Sequence, residues 1–412
     1  MPADEHRVAS GSRWVLVVNV VAAVVAIGAF LVRVGRSLDQ ADWGYAAAEW
    51  LTNYDAGVVR RGLGGQLIDG VPWLDQRATL LVVVTTLFVA VVALQAMAVG
   101  LSVARLGNAW PLLVWLLPAG PLLATLQPAW QPMPAFANQF MFRKEYLGYL
   151  LLLVVAVVLL RWPGLLQHHR MAAAIVVGVG FGLAAFVHEA LMLPAAAAVA
   201  MLFVFISPGS PVRRALSAAL VLGPPILVAA GFVLAGPLRP GSADTIAAGL
   251  DPATQVWLGG PDAIRNSSPY YWLEQGTAVG IGFTQDAVIN SGAWRGWLVI
   301  GLLAAGFVVV AAWLADARRV TAGARVAAGL VIVVVTAPLF VLGADTGRWL
   351  SVLGFLTLNT ALVISAGRHT VGGPVGARSR LMVLVALVLI ALTLAAGLPE
   401  TGDPAGLLLG RR

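Results

Sequence analysis

The sequence predicts an all-α, polytopic integral membrane protein, and three observations predict it. Of 412 residues, 59% are hydrophobic and only 11% charged, against the roughly 25% charged of a soluble globular domain. The apolar residues gather in blocks close to the roughly 20 residues that cross a bilayer as a helix. Between the blocks the chain is short except in two places, residues 34–77 and 237–295. Cysteine is absent, and the 45 Gly and 23 Pro follow no collagen period, which excludes disulfide scaffolds, thiol chemistry and fibrous structure. The net charge of +7 arises from 25 Arg and one Lys, Lys144. These cations are scattered between apolar blocks and form no stripe, so nucleic acid is not an expected partner.

About eleven transmembrane helices are expected, at 14–33, 78–104, 110–126, 146–160, 171–187, 190–207, 215–236, 296–314, 324–342, 349–366 and 381–397. The first is too long for a cleavable signal peptide and lacks a small-x-small site before Arg36, so it stays as a helix. Pro111, Pro118 and Pro121 crowd the third, which leaves a broken or re-entrant pair open with the short fourth. The organisation that follows is a seven-helix membrane core over 1–236 containing outer loop 34–77, an outer loop over 237–295, and C-terminal membrane helices over 296–412. No repeat of fixed period is visible, which weighs against an inverted-repeat transporter.

Loop charge sets the expected orientation. With the N-terminus cytoplasmic, the short inner segments, with Arg325 added, carry 13 Arg and only Asp4, Glu5 and Asp316 as acids. The outer side holds 13 Lys or Arg over more than twice the length, together with the other 16 acids. Density in short loops decides, placing the N-terminus inside and the C-terminus outside a cell membrane.

That orientation puts every chemically loaded cluster on the outer face. In ADWGYAAAEWLTNYDAG, Trp43, Ala47, Trp50 and Tyr54 form an aromatic stripe, with Asp42 and Glu49 on the opposite face, as in an interfacial helix lying in the headgroup layer. In NYDAGVVRRGLGGQL, Arg60 and Arg61 stand side by side ahead of Gly62, Gly64 and Gly65. Forked guanidiniums near flexible backbone suit a phosphate or pyrophosphate; lipid headgroups are the alternative. Asp42, Asp39 and Asp55 are the carboxylates available as a base, with helix capping the other use of Asp42. Arg143, Lys144 and Glu145 stand at the mouth of the fourth span, and His188-Glu189 interrupts the apolar run between the fifth and sixth. Polar groups at that depth face a cavity or each other. Asp345 and Arg348, one turn apart at an outer helix end, read as a substrate contact or a simple ion pair. In the second loop, Asp251-Pro252 and Ser268-Pro269 read as N-caps followed by first-turn prolines, predicting helices near 252–258 and 269–275. The latter presents Tyr271 and Trp272, suited to stacking on a sugar or to anchoring at the interface. No H-E-x-x-H pattern occurs, so a divalent metal is possible but not favoured.

A long outer loop after the first helix, another after the seventh and four further helices resemble the GT-C superfamily of membrane glycosyltransferases, which use polyprenyl-phosphate-linked sugars. In that superfamily the first outer loop opens with an acid beside the membrane and continues as interfacial helices, as SLDQADWGYAAAEW does here. The resemblance implies a base at Asp42 or Asp39, a lipid-linked sugar donor, a glycan or glycolipid acceptor, and no obligatory cofactor. An adjacent pair of acids is lacking in this loop. Arg60, Arg61, Arg143, Lys144 and Arg348 would face the departing phosphate. A polysaccharide polymerase or ligase acting on lipid-linked glycans, and a transporter or flippase, are the alternatives.

Overall fold

The computed structural model describes residues 3–39, 41, 44–57, 59–106, 110–116, 142–206, 209–267, 269–275, 277–290, 330–339 and 346–368. Among them every regular element is helical. The elements are α1 (Ala3–Arg36), α2 (Gly44–Trp50), α3 (Gly62–Asp69), α4 (Gln76–Leu106), a tighter turn over Trp110–Leu116, α5 (Glu145–Arg161), α6 (Arg170–Ile206) and α7 (Pro211–Ala235). Short helices follow: α8 (Ser242–Ala248), α9 (Pro252–Trp257), α10 (Pro261–Ser267), α11 (Pro269–Glu274) and α12 (Thr277–Thr284). Then come α13 (Leu330–Leu339) and α14 (Thr346–Arg368). Among the described residues four helices, in α1, α4, α6 and α7, are long and apolar enough to cross a membrane. The expected spans 296–314 and 381–397 lie outside the described residues, as do parts of 110–126 and 324–342.

Contacts along their length fix the direction of the central helices. Phe88 of α4 meets Tyr146 of α5 edge-on at 5.4 Å, and Tyr149 of α5 stacks on Phe355 of α14 at 3.9 Å. At the far end, Arg105 donates to the carbonyls of Leu160 and Ala366. So α4, α5 and α14 run in the same direction. The chain leaves α4 at one end of the bundle and enters α5 at the other. Antiparallel α1 stacks Phe30 on Phe88 at 4.0 Å.

The element α6 is not one rod. His188 has φ −163° and ψ 96°, an extended residue inside a helical run. Arg170 bonds Ser217, Gly182 abuts Pro224, and Phe186 meets Phe232, so the first arm runs parallel to α7. Gly209, just past the second arm, nevertheless lies against Arg170. Thirty-seven residues in a straight helix would separate its ends by about 55 Å. The chain therefore doubles back at His188, and the two arms cover 170–187 and 189–206.

Small residues let the first arm approach α7: a Cβ on Gly178 would strike the Leu220 carbonyl, and one on Gly182 would lie 2.9 Å from Pro224 Cβ. Such close backbone approach is how apolar helices associate in lipid. Gly178→Ala is expected to lower stability by about 1–3 kcal/mol through overpacking, read as a lower melting temperature in detergent. An unchanged melting temperature would show that the two helices have room to part.

Both long loops fold over one end of the bundle, called here the loop end. Trp257 donates from Nε1 to the Ser37 carbonyl at 2.8 Å, and its own carbonyl accepts from Ala41 N at 3.2 Å. Asp251 caps α9 by accepting from Thr254 N at 2.8 Å, the cap expected before Pro252. Gln76 accepts from Asp251 N at 2.9 Å, tying the second loop to the start of α4. Glu274 accepts from Ala243 N at 2.7 Å and joins α11 to α8.

Candidate functional site: a buried ionic cluster at the loop end

Helix α2 forms where expected, but not as an interfacial helix with one wet face. Ala46, Ala47, Ala48, Glu49 and Trp50 are all buried, because α10 and α11 pack over it. Trp50 turns inward and donates from Nε1 to the Phe142 carbonyl at 2.6 Å. Glu49, read from sequence as part of a polar face, is 3% exposed and becomes the centre of an ionic cluster.

Its side-chain partners come from two segments, the turn at Arg61 and the elbow of α6. Arg61 Nη1 lies 2.8 Å from Glu49 Oε1, and His188 Nε2 lies 3.2 Å from the same oxygen. Arg61 Nε stands 3.4 Å from Glu189 Oε1. One guanidinium thus bridges two carboxylates, with an imidazole on the first. The doubling back of α6 delivers His188 and Glu189 together. Among the described residues, Arg61 is the one non-glycine with positive φ, +68°, a conformation that costs of order 1 kcal/mol and collects at functional sites.

The glycines after Arg61 serve packing. The Gly65 amide donates to the Thr52 carbonyl at 3.0 Å. A Cβ there would strike the backbone of Thr52, and one on Gly62 would strike the Tyr54 ring. The R-R-G-L-G-G stretch is therefore a tight return that presses α3 onto 52–54 and points Arg61 inward.

Lys144 is fully buried. Its Nζ donates to the carbonyls of Glu49 at 2.7 Å and Val187 at 3.1 Å and sits 5.4 Å from the centre of the Trp50 ring. It clamps the end of α2 to the last turn before the α6 elbow, where helix carbonyls lack partners of their own. Glu145 is buried beside it.

Arg60 and Arg143 complete the cationic side. Arg60 donates from Nη2 to the Trp272 carbonyl at 2.8 Å. Its Nε and that of Arg143 are buried without a partner among the described residues, as is Glu189 Oε2. Burial and then the neighbouring Arg61 guanidinium push Arg60 below its ordinary pKa. Burial alone would raise the Glu49 carboxyl. The neighbouring His188, which hydrogen-bonds it, and the Arg61 and Lys144 charges outweigh burial and hold Glu49 well below the carboxylate range.

The other carboxylates stand apart from this cluster. Asp55 is exposed, and its Oδ2 accepts from Asn53 Nδ2 at 2.9 Å; Asp69 accepts from the same amide at 3.1 Å. Burial raises Asp69 despite its bonds to Gln76 and Asn53. Asp39 is exposed just beyond α1. Asp42 and Asp345 lie outside the described residues, as do the side chains of Tyr271 and Arg348. The Trp272 ring tilts against Phe283 at 5.2 Å. Of the residues singled out from sequence, the fold unites Arg61, His188 and Glu189 in the cluster, with Lys144 clamped on its backbone and Arg60 alongside.

Sequence reasoning missed the central role of Glu49. The available signal was an acid following three alanines and preceding a tryptophan in AAAEW, a place where water is scarce. Among the described residues, no three His, Asp or Glu side chains are arranged to hold a metal ion; the cation between the two carboxylates is Arg61. No protein-family profile, curated protein or solved structure matches this chain.

Proposed function

We propose that this chain is a multi-pass membrane glycosyltransferase of GT-C type, with about eleven spans. It transfers a sugar from a polyprenyl-phosphate-linked donor to a glycan or glycolipid acceptor on the extracytoplasmic side. The observation that carries this reading is the gathering of Glu49, Arg61, His188 and Glu189 beside Arg60 at the loop end of an apolar bundle. A donor anchored in lipid reaches such a site through the membrane boundary, so no soluble nucleotide-sugar domain is needed.

In this reading the buried cluster is the foundation and not the reacting pair. Arg61 is held by Glu49 and Glu189, while Arg60, with its unpartnered Nε, turns its charge to the departing phosphate, where fixed cations act most strongly out of water. Asp42 takes the proton of the acceptor hydroxyl, with Asp39 and Asp55 as the other carboxylates within the same loop. The density of positive charge in the short loops at the opposite end, with Arg105, Arg161, Arg170, Arg213 and Arg214, supports reading that side as cytoplasmic. A polymerase or ligase would use the same guanidiniums on a pyrophosphate-linked glycan. A transporter would place its ionisable groups near the bilayer midplane, whereas these sit where helices meet loops.

The test uses purified protein in liposomes with a panel of radiolabelled polyprenyl-phosphate sugars and an acceptor extract, reading release of polyprenyl phosphate. The wild type should consume one donor, and Arg60→Ala should be slowed about a hundredfold, the loss typical of one charge-stabilising donor, at unchanged melting temperature. Failure of the wild type to consume any donor, or full activity in the variant, would overturn the reading.

A further inference from the structure

The α6 elbow leaves one hydrogen-bonding atom of the cluster unused, and that atom discriminates among ligands. Because His188 is extended, the two consecutive side chains part: His188 turns to Glu49, and Glu189 to Arg61. Glu189 spends Oε1 on Arg61 Nε at 3.4 Å. Its Oε2 is buried with no hydrogen-bond partner among the described residues. A buried carboxylate oxygen without a partner is costly, and a ligand is one way to fill it. Arg60 does not fill it from within the chain. Its charge and that of Glu189 act on one another, but its Nη2 is held by the Trp272 carbonyl at 2.8 Å and its Nε, like Oε2, is buried and unused. The cluster also has a sealed side and an open one. The Glu49 and His188 side chains are 5% and 3% exposed, those of Arg61 and Glu189 22% and 13%. A ligand therefore meets Arg61 and Glu189 first, with Glu49 and His188 behind them.

We propose that Glu189 Oε2 accepts a hydrogen bond from a hydroxyl of the donor sugar and so makes the site selective for a sugar phosphate over a bare phosphate. The inference rests on the reading above, in which Arg60 meets the donor phosphate. An ionised carboxylate only accepts hydrogen bonds, so the group facing Oε2 carries an O–H or N–H. A bare phosphate monoester is mostly doubly ionised above its second pKa of about 6, and Glu189 opposes its charge. A lone cation is opposed by Arg60 and Arg61. An anionic group with a hydroxyl beside it satisfies the guanidinium and the carboxylate together, and a sugar phosphate has that arrangement. A phospholipid that pairs its phosphate with an ammonium also offers an N–H, but its positive charge meets the two arginines, whereas a hydroxyl is neutral.

The test is native mass spectrometry of the full chain titrated separately with undecaprenyl phosphate, with undecaprenyl phosphate bearing glucose, mannose or arabinose, and with phosphatidylethanolamine. The wild type should bind at least one sugar-bearing lipid about tenfold more tightly than undecaprenyl phosphate, the order expected of a hydrogen bond to a charged acceptor. E189Q should lose that preference while binding undecaprenyl phosphate at least as well as the wild type, because the opposing charge is gone. A purely structural role would instead weaken both lipids alike. Should E189Q lower the melting temperature, E189D keeps the charge beside Arg61, withdraws the oxygen by one methylene, and should lose the same preference. No preference in the wild type, or a preference that survives in the folded variant, overturns the proposal. Phosphatidylethanolamine binding as tight as that of the preferred sugar lipid assigns the oxygen to an ammonium and overturns it too. Sugar-selective binding that is lost in E189Q, in a protein that transfers no sugar in liposomes, overturns the transferase reading and upholds the hydroxyl site.

Discussion

Glu49→Leu is expected to lose about 3–5 kcal/mol, the cost of leaving buried charge without its partner, and to yield little monodisperse protein in detergent. The substitution preserves apolar bulk but leaves Arg61 and His188 facing a hydrocarbon side chain, with Lys144 close by. Total stabilities are commonly about 5–15 kcal/mol, so one such loss decides whether the loop end folds. The double variant Glu49→Leu/Arg61→Met removes both partners and should recover part of the loss, because the uncompensated guanidinium disappears. Equal or greater instability in the double variant would mean that the pair is not the source of the effect.

The same carboxylate predicts a pH dependence whose sign is fixed. Because the folded protein holds the Glu49 pKa well below its ordinary value, its contribution is fully present above the unfolded carboxylate pKa of about 4.3. It is lost as pH falls through the lower folded-state value. The melting temperature should therefore change little through this group from pH 7 to about 5 and drop in stronger acid. A stability that rises on acidification through that range contradicts the ionised cluster.

Asp42→Asn is expected to lower sugar transfer about a hundredfold or more with donor binding nearly unchanged, since Asn keeps the size and hydrogen bonding but cannot take a proton. A capping role predicts the opposite, because Asn caps a helix about as well as Asp. Asp55→Asn provides the contrast. Asp55 is exposed and bonded to Asn53, and Asn at 55 retains an oxygen to accept that bond, so turnover should stay within a few-fold. Asp39→Asn belongs in the same series. If Asp42→Asn is active and Asp55→Asn is dead, the base stands in the NYDAG turn beside the Arg pair.

Much of the architecture was legible because hydropathy and turn chemistry are local. The apolar blocks that open at Trp14, Gln76 and Pro211 become helices with nearly the expected limits, since backbone groups in hydrocarbon must bond within their own segment. The helices at Pro252 and Pro269 begin where sequence placed them, because a first-turn proline and an N-cap act within four residues. The reading of α2 failed for an equally physical reason. An amphipathic pattern reports that a helix has two unlike faces, not what covers each. Here the turn at Arg61 and the elbow at His188 cover the Glu49 side, the one read as facing water.

What the sequence by itself determined is the class of the chain: cysteine-free and helical, with several helices long and apolar enough to cross a membrane, loaded loops and few charges. It also marked Arg60, Arg61, Lys144, His188 and Glu189 as out of place in such company. Only the tertiary structure decided that Glu49 is the hub, that Lys144 clamps carbonyls, and that α6 folds back at His188. Those outcomes depend on partners distant in the chain. A buried charge is tolerated only beside its counter-charge, and the segments that supply one to Glu49, the turn at Arg61 and the elbow at His188, are brought together by packing that no local pattern encodes.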